Sequence, residues 1–302
     1  MIFRNPLCNR PLLLALSLAV IMLAGCAAKK VLLEAPETGV TLEYRMPKDQ
    51  TLKYEMSQEF IQNVEIQGRQ MEVNAYTTYA FSVESKGEKD GNLQFAITID
   101  AMEVNVTSPE GDISGDTKSA VGKSFEMLLS PLGEELETPG LGGIKYELGP
   151  AGKRSIASNF ETLFPNLAGR PLKVGDSWTS RDTVSVREAN TNLQFTFESI
   201  NTVEGFETVA GLECAKIASD VTGTLAGTGK EGQMELVTSG EVQGKDTWYF
   251  AYKEGLYVKA ESEAFVKGSI TTADPQGMKI PMNNTIRIEL ALVDDHNLPG
   301  SF

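Results

Sequence analysis

Cys26 is the residue whose setting carries the most explicit chemistry. It closes Leu23-Ala24-Gly25-Cys26, behind an apolar run from Leu12 to Leu23 that is preceded by Arg4 and Arg10. A basic start, an apolar middle and small residues before a cysteine form a secretion signal whose cleavage leaves that thiol as the new first residue, placed to receive lipid. The run is shorter than the ~20 apolar residues a spanning helix needs. The expected mature protein starts at an acylated Cys26. Ala27 follows rather than Asp, which would allow passage to the outer membrane if the cell is Gram-negative; the expected location is the cell envelope, at the outer membrane facing the periplasm. Residues 1–25 are then signal and 26–40 a lipidated tether.

The other reactive groups are sparse. Cys8 leaves with the signal and Cys26 carries lipid, so Cys214 has no partner and no disulfide framework exists. Its surroundings, Leu212-Glu213-Cys214-Ala215-Lys216-Ile217, read as a strand holding a small buried side chain. Gly175-Asp176-Ser177 resembles the nucleophile block of Gly-Asp-Ser hydrolases, with Asp294-Asp295-His296 as acid and base. That family requires Asp-x-x-His, whereas Val293 stands three before His296, the single histidine of the chain. The reading is therefore of a non-enzymatic protein. Gly227-Thr228-Gly229-Lys230 lacks the leading glycine and the metal-binding hydroxyl of a phosphate loop and reads as a turn. Asp112 with Asp116, and Glu134 with Glu135 and Glu137, offer oxygen ligands without calcium-loop spacing and read as exposed acids. No cofactor and no metal site are expected.

The net charge is −14 before loss of two signal arginines, and no lysine or arginine cluster exists, so nucleic acid is not an expected partner. The expected partners are the membrane, through the lipid anchor, and a hydrophobic ligand or an envelope protein.

The elements that would position these residues are strands. From Leu52 to Ile66 apolar residues fall at even positions, and from Met71 to Val83 at odd ones, with a turn at Gln67-Gly68-Arg69 between. Lys89-Asp90-Gly91-Asn92 supplies a second turn with Asp-Gly where positive φ is required. The phase slips between Ile99 and Met102, which places a bulge near Asp100-Ala101. Strands this long must coil. The expected class is all-β, with long antiparallel hairpins in a strongly curved sheet, half-barrel or barrel. Ile156, Phe160, Leu163 and Phe164 follow helical spacing before Pro165, so one amphipathic helix is expected, packed as core on the sheet. It would lie in a junction, residues 139–172, between two similar β halves at 41–138 and 173–302. The similarity pairs Phe81–Val104 with Phe195–Val221 through a turn at Gly205 to Gly211.

Lys173-Val174-Gly175-Asp176-Ser177-Trp178, after Arg170-Pro171-Leu172 and preceded by Gly122-Lys123-Ser124-Phe125-Glu126 and Phe160-Glu161-Thr162-Leu163-Phe164-Pro165, is similar to an uncharacterised family of β-rich bacterial lipoproteins. The resemblance spans residues 40–292. It implies an envelope lipoprotein with a domain of unknown function and assigns no catalytic residue; Gly175 and Trp178 would be a strand start and its packing anchor. By architecture the chain is also similar to curved half-barrels that carry lipids. Two functions follow: a module binding a lipid or other amphiphile in an apolar groove of the curved sheet, or a structural scaffold of the envelope with a filled interior.

Overall fold

Period-two sequence produces long strands in the computed structural model, which describes residues 33, 34, 36–66, 68–188, 190–272 and 277–293. β1 (Thr51–Ile66), β2 (Arg69–Lys89) and β3 (Asn92–Thr107) form a meander. Leu52, Tyr54 and Met56 of β1 face the core, with Tyr54 opposite Phe81 and Met56 opposite Tyr79. Asp90 and Gly91 both take positive φ, 54° and 80°, the geometry that matches strand twist in a two-residue hairpin. Ala80 pairs with Ala101 but Phe81 with Ile99, so Asp100 is the extra residue of a bulge. Its carboxylate accepts a hydrogen bond from the Ser82 hydroxyl.

Short strands β4 (Ile113–Ser114), β5 (Ser124–Leu129) and β6 (Glu135–Glu137) end this half. A small separate hairpin, β7 (Lys145–Glu147) and β8 (Lys153–Ser155), lies in the junction. A second meander follows: β9 (Ser177–Glu188), β10 (Thr191–Val209), β11 (Leu212–Glu231), β12 (Met234–Ala251), β13 (Leu256–Thr272) and β14 (Lys279–Leu292). The strand order is β6-β5-β3-β2-β1-β14-β13-β12-β11-β10-β9, with β4 added beside β3. β14 zips onto β1 from Tyr54↔Leu292 to Val64↔Met282, which fuses the meanders into one strongly curled half-barrel. β6 and β9 are its two edges, and the junction runs between them. The Asp90-Gly91 turn marks the base of the half-barrel, and the turn at Gly68 marks its rim.

The base is filled. Phe160 is fully buried and meets Tyr79, Phe81 and Phe125 edge-on, with ring centroids 5.2, 5.3 and 5.5 Å away. Tyr44 makes the same kind of contact with Phe250 at 5.1 Å and Phe164 at 5.6 Å. Such offset and edge-on pairs add to the free energy of burying the rings themselves.

The expected helix over residues 156–164 does not form. A single 3₁₀ turn, Ala157–Asn159, takes its place, and Thr162 adopts a left-handed φ of 63°. The backbone is claimed by competing partners. The Ser155 hydroxyl accepts from Ala157 N–H at 3.2 Å, and the N–H groups of Thr162 and Phe164 donate to Glu135 on β6. Serine and asparagine favour such local bonds over helix interiors. The apolar residues are buried as a helical stripe would bury them, but through tight turns.

Toward the rim the curl is set by small residues. Gly227, Gly240 and Gly268 share the concave face, and a Cβ on Gly227 or Gly268 would stand 2.2 Å from the carbonyl oxygen of Asn192 or Ser239. Gly227-Thr228-Gly229-Lys230 is therefore not a turn but part of β11, paired on both sides; the turn comes at Gly232. Gly205 likewise sits at a bulge, between Val203 and the rest of β10, and Ala210-Gly211 makes the turn.

Candidate functional site

Residues directly opposite one another in adjacent strands share a face, so the registers divide the concave surface into levels. One level crosses the half-barrel as Asn201, Ser219, Asp246, Ser262, Ile288, Gln58 and Thr77. It is mostly polar and internally satisfied. Trp248 Nε1 donates to the Ser219 hydroxyl at 3.0 Å, Ser219 donates to Asn201 Oδ1 at 2.6 Å, and Asn201 Nδ2 donates to the Ser180 hydroxyl at 3.1 Å. Burial pushes the Asp246 carboxyl up to about 6, against the pull of a hydrogen bond from Ser262.

Below this level the enclosed space is closed. The void between Tyr44, Leu52, Tyr54, Phe95, Phe164 and Tyr257 has a volume of about 10 Å³, no more than one water needs. Above it the concave face changes character. Leu225, Val242, Val266 and Met282 make a small second core on its floor. Around them Phe60, Val64, Val73, Leu193, Phe195 and Phe197 are all partly exposed. Phe195 and Phe197 stack at 5.9 Å. Asn284 is 6% exposed on the same face, and its Oδ1 has no hydrogen-bond partner among the described residues. A buried acceptor left without a donor is rare in native proteins and marks a place where a bound group can supply one. The upper half is thus an apolar trough with one unanswered polar atom.

The convex face is the reverse. Arg287 bridges Glu59 at 2.9 Å and Glu263 at 2.8 Å across three strands, and Arg181 pairs with Glu198 at 2.7 Å. A membrane-spanning barrel turns an apolar band outward; here the outward face mixes these ion pairs with exposed apolar residues such as Ile200, Val237 and Phe265. No helix among the described residues is long and apolar enough to cross a membrane.

A second feature lies in the seam between the edges β6 and β9, a cleft of about 900 Å³. Glu135 anchors it. Thr162 N–H donates to Glu135 Oε2 at 3.0 Å and Phe164 N–H to Oε1 at 3.2 Å. Burial pushes this carboxyl up to about 7 in spite of the amides, and neighbouring Asp182 adds to the rise. Asp182 is itself raised by burial, opposed by Asn166 Nδ2 at 2.7 Å. The expectation that Glu134, Glu135 and Glu137 are all exposed acids is thus corrected for Glu135. Its position in a Glu-Glu-Leu-Glu run carries no signal of the backbone amides that reach it.

The residues singled out by sequence scatter. Asp176 is committed to the turn before β9, where its Oδ2 accepts from Lys173 N–H at 2.9 Å, and Gly175 takes a φ of 88°. Ser177 is exposed at the start of β9 with its carbonyl on Arg170, at 3.0 Å. Trp178 packs edge-on to Trp248 at 6.0 Å and donates to the Asn166 carbonyl at 3.0 Å, as a packing anchor does. Cys214 is buried, and burial pushes its thiol up to about 12, which makes it inert at neutral pH. Among the described residues no group of three His, Cys, Asp or Glu side chains is placed to hold a metal ion. Cys26, Asp294, Asp295 and His296 lie outside the described residues.

No protein-family model and no curated protein matches the chain. Solved structures similar to it include an outer membrane channel from Pseudomonas putida F1, at 9% identity over 86% of this chain and 100% of that one, with a TM-score of 0.27. The beta domain of a Bordetella autotransporter matches at 9% identity over 81% of this chain and 100% of that one, with a TM-score of 0.26. A DUF1329 family protein from Desulfovibrio piger matches at 12% identity over 81% of this chain and 87% of that one, with a TM-score of 0.19. Scores of this size carry neither fold nor function across.

Proposed function

We propose that the chain is a non-enzymatic envelope lipoprotein, held on the periplasmic side of the outer membrane through acylated Cys26, that binds a lipid or other amphiphile in the upper trough. The observation that supports this reading most is the change of packing along one face. Large rings close the base to about 10 Å³, while the same face near the rim leaves Phe60, Leu193, Phe195 and Phe197 partly open to solvent. An apolar concave surface with few polar groups is the usual form of a small-molecule site. The lipoprotein resemblance and the signal before Cys26 supply the location.

Full-length protein in mild detergent is expected to take up a fluorescent acyl-chain probe. Phe197→Glu should weaken that uptake about tenfold or more, because a carboxylate in the trough replaces apolar contact surface. Its melting temperature should stay near that of the parent, since water reaches the position. A parent chain that binds no probe, or a Phe197→Glu variant that binds it equally, rejects the trough. Cys26→Ser is expected to leave the membrane fraction and lose the mass of the acyl chains; a variant that still requires detergent for release after signal cleavage rejects the anchor.

A further inference from the structure

The seam cleft contains an uncovered strand edge. β9 ends the sheet order, so one side of it pairs with β10 and the other side has no partner strand among the described residues. In an antiparallel strand alternate residues send both N–H and C=O to the same side. Ser185 N–H is taken by the Glu161 carboxylate at 2.7 Å and Ser177 C=O by Arg170 at 3.0 Å, so the odd-numbered residues of β9 face the seam. Between these two caps stand Thr179, Arg181 and Thr183, all exposed and all lining the cleft. Their main-chain groups form a short template for pairing, of the kind that proteins ordinarily cover or blunt.

The walls define what would fit. Leu132 and Leu136 are 41% and 42% exposed, and Leu167 and Trp178 join them in the lining. Glu43, Glu134 and Glu137 supply negative charge, while Arg181 is the one basic residue among the described lining and is paired with Glu198. An anionic, partly apolar wall set beside an open strand edge favours an extended, cationic and apolar peptide segment.

We propose that this cleft receives an extended segment of a partner protein, alternating cationic and apolar side chains, as an added strand on β9. Main-chain bonds to Thr179, Arg181 and Thr183 give it affinity. The leucines and Trp178 take its apolar side chains, and the glutamates select its charge. This edge adjoins the trough where Asp182 stands opposite Phe197, but the proposal does not depend on an amphiphile being bound there.

The test uses the full-length chain and a synthetic Val-Lys-Val-Lys-Val-Lys-Val peptide, followed by fluorescence of Trp178 and by amide exchange. Binding should slow exchange at Thr179, Arg181 and Thr183 about tenfold or more, and N-methylation along one peptide edge should weaken binding by a similar factor. Thr183→Pro removes one template N–H while sparing the bonds to β10, and should abolish that protection. If that variant does not fold, Glu134→Lys combined with Glu137→Lys changes exposed acids only and should weaken the peptide about tenfold. Three results overturn the proposal: no binding at millimolar peptide; equal binding of Val-Glu-Val-Glu-Val-Glu-Val; or protection at other strands. Binding that emerges only after deletion of residues 26–32 also overturns it, because the cleft would then belong to the chain's own Lys29-Lys30 segment.

Discussion

Phe81→Glu is expected to yield no folded protein, whereas Phe195→Glu, the same change on the same concave face, should melt within a few degrees of the parent. Phe81 is 1% exposed, stacked on Tyr54 at 5.5 Å with an interplanar angle of 15°, and edge-on to Phe160. Removing a buried ring costs about 3–5 kcal/mol, and placing an unpaired carboxylate there adds several more. Together these reach the whole stability of an ordinary domain, about 5–15 kcal/mol. Phe195 stands above the polar level, partly exposed, so water reaches a carboxylate placed there. A milder probe of the same contrast is Phe160→Ala, which should lower stability by about 3–5 kcal/mol and the melting temperature by roughly 10 °C. Thermal melts by circular dichroism decide the matter. Equal melting of the Phe81→Glu and Phe195→Glu variants would mean that base and trough are packed alike.

Acidification from pH 8 to pH 5 should raise stability. Glu135, at about 7 rather than 4.5, and Asp246, at about 6 rather than 3.8, both bind a proton more tightly in the folded chain than in the unfolded one. Between the unfolded and folded values the native state holds more protons, so stability falls as pH rises through that window. Each group contributes on the order of 2–3 kcal/mol across it. The buried Asp182 acts in the same direction. Glu59 and Glu213 are lowered by hydrogen bonds, to Asn74 and to Lys253 first, so their stabilisation is lost only below the usual carboxylate range. The stability maximum is therefore expected near pH 5. Glu135→Gln removes the titrating group, keeps an acceptor for only one of the Thr162 and Phe164 amides, and should flatten the profile between pH 5 and 8 at a lower overall stability. A melting temperature that climbs steadily from pH 5 to 8 would remove Glu135 and Asp246 from the interior.

What could be read from the chain alone was what neighbouring residues decide among themselves. Alternation along Leu52 to Ile66 assigns the buried face of β1, because successive side chains point to opposite sides whatever the strand pairs with. Asp90-Gly91 sets its turn through two local dihedrals, and the phase slip at Asp100 sets its bulge for the same reason. The sheltered site of Cys214 follows from its apolar neighbours. The signal before Cys26 is equally local, and the anchor it implies rests on that chemistry alone.

Pairing between distant segments decided the rest. Nothing near β14 in sequence specifies that it lies against β1 more than 200 residues earlier, yet that contact joins the two meanders into one curled sheet. Ile156, Phe160, Leu163 and Phe164 have helical spacing, but the amides of Thr162 and Phe164 meet Glu135 across the seam and leave no helix. The same encounter half-buries Glu135 while Glu134 and Glu137 stay exposed. Gly227 looks like a turn residue until the carbonyl of Asn192 approaches it from the neighbouring strand, and Gly268 meets the Ser239 carbonyl in the same way. Filled base, open trough and uncovered β9 edge all depend on which residues meet across the sheet. That outcome is set by register and curvature, which are long-range quantities, and it belongs to the tertiary structure.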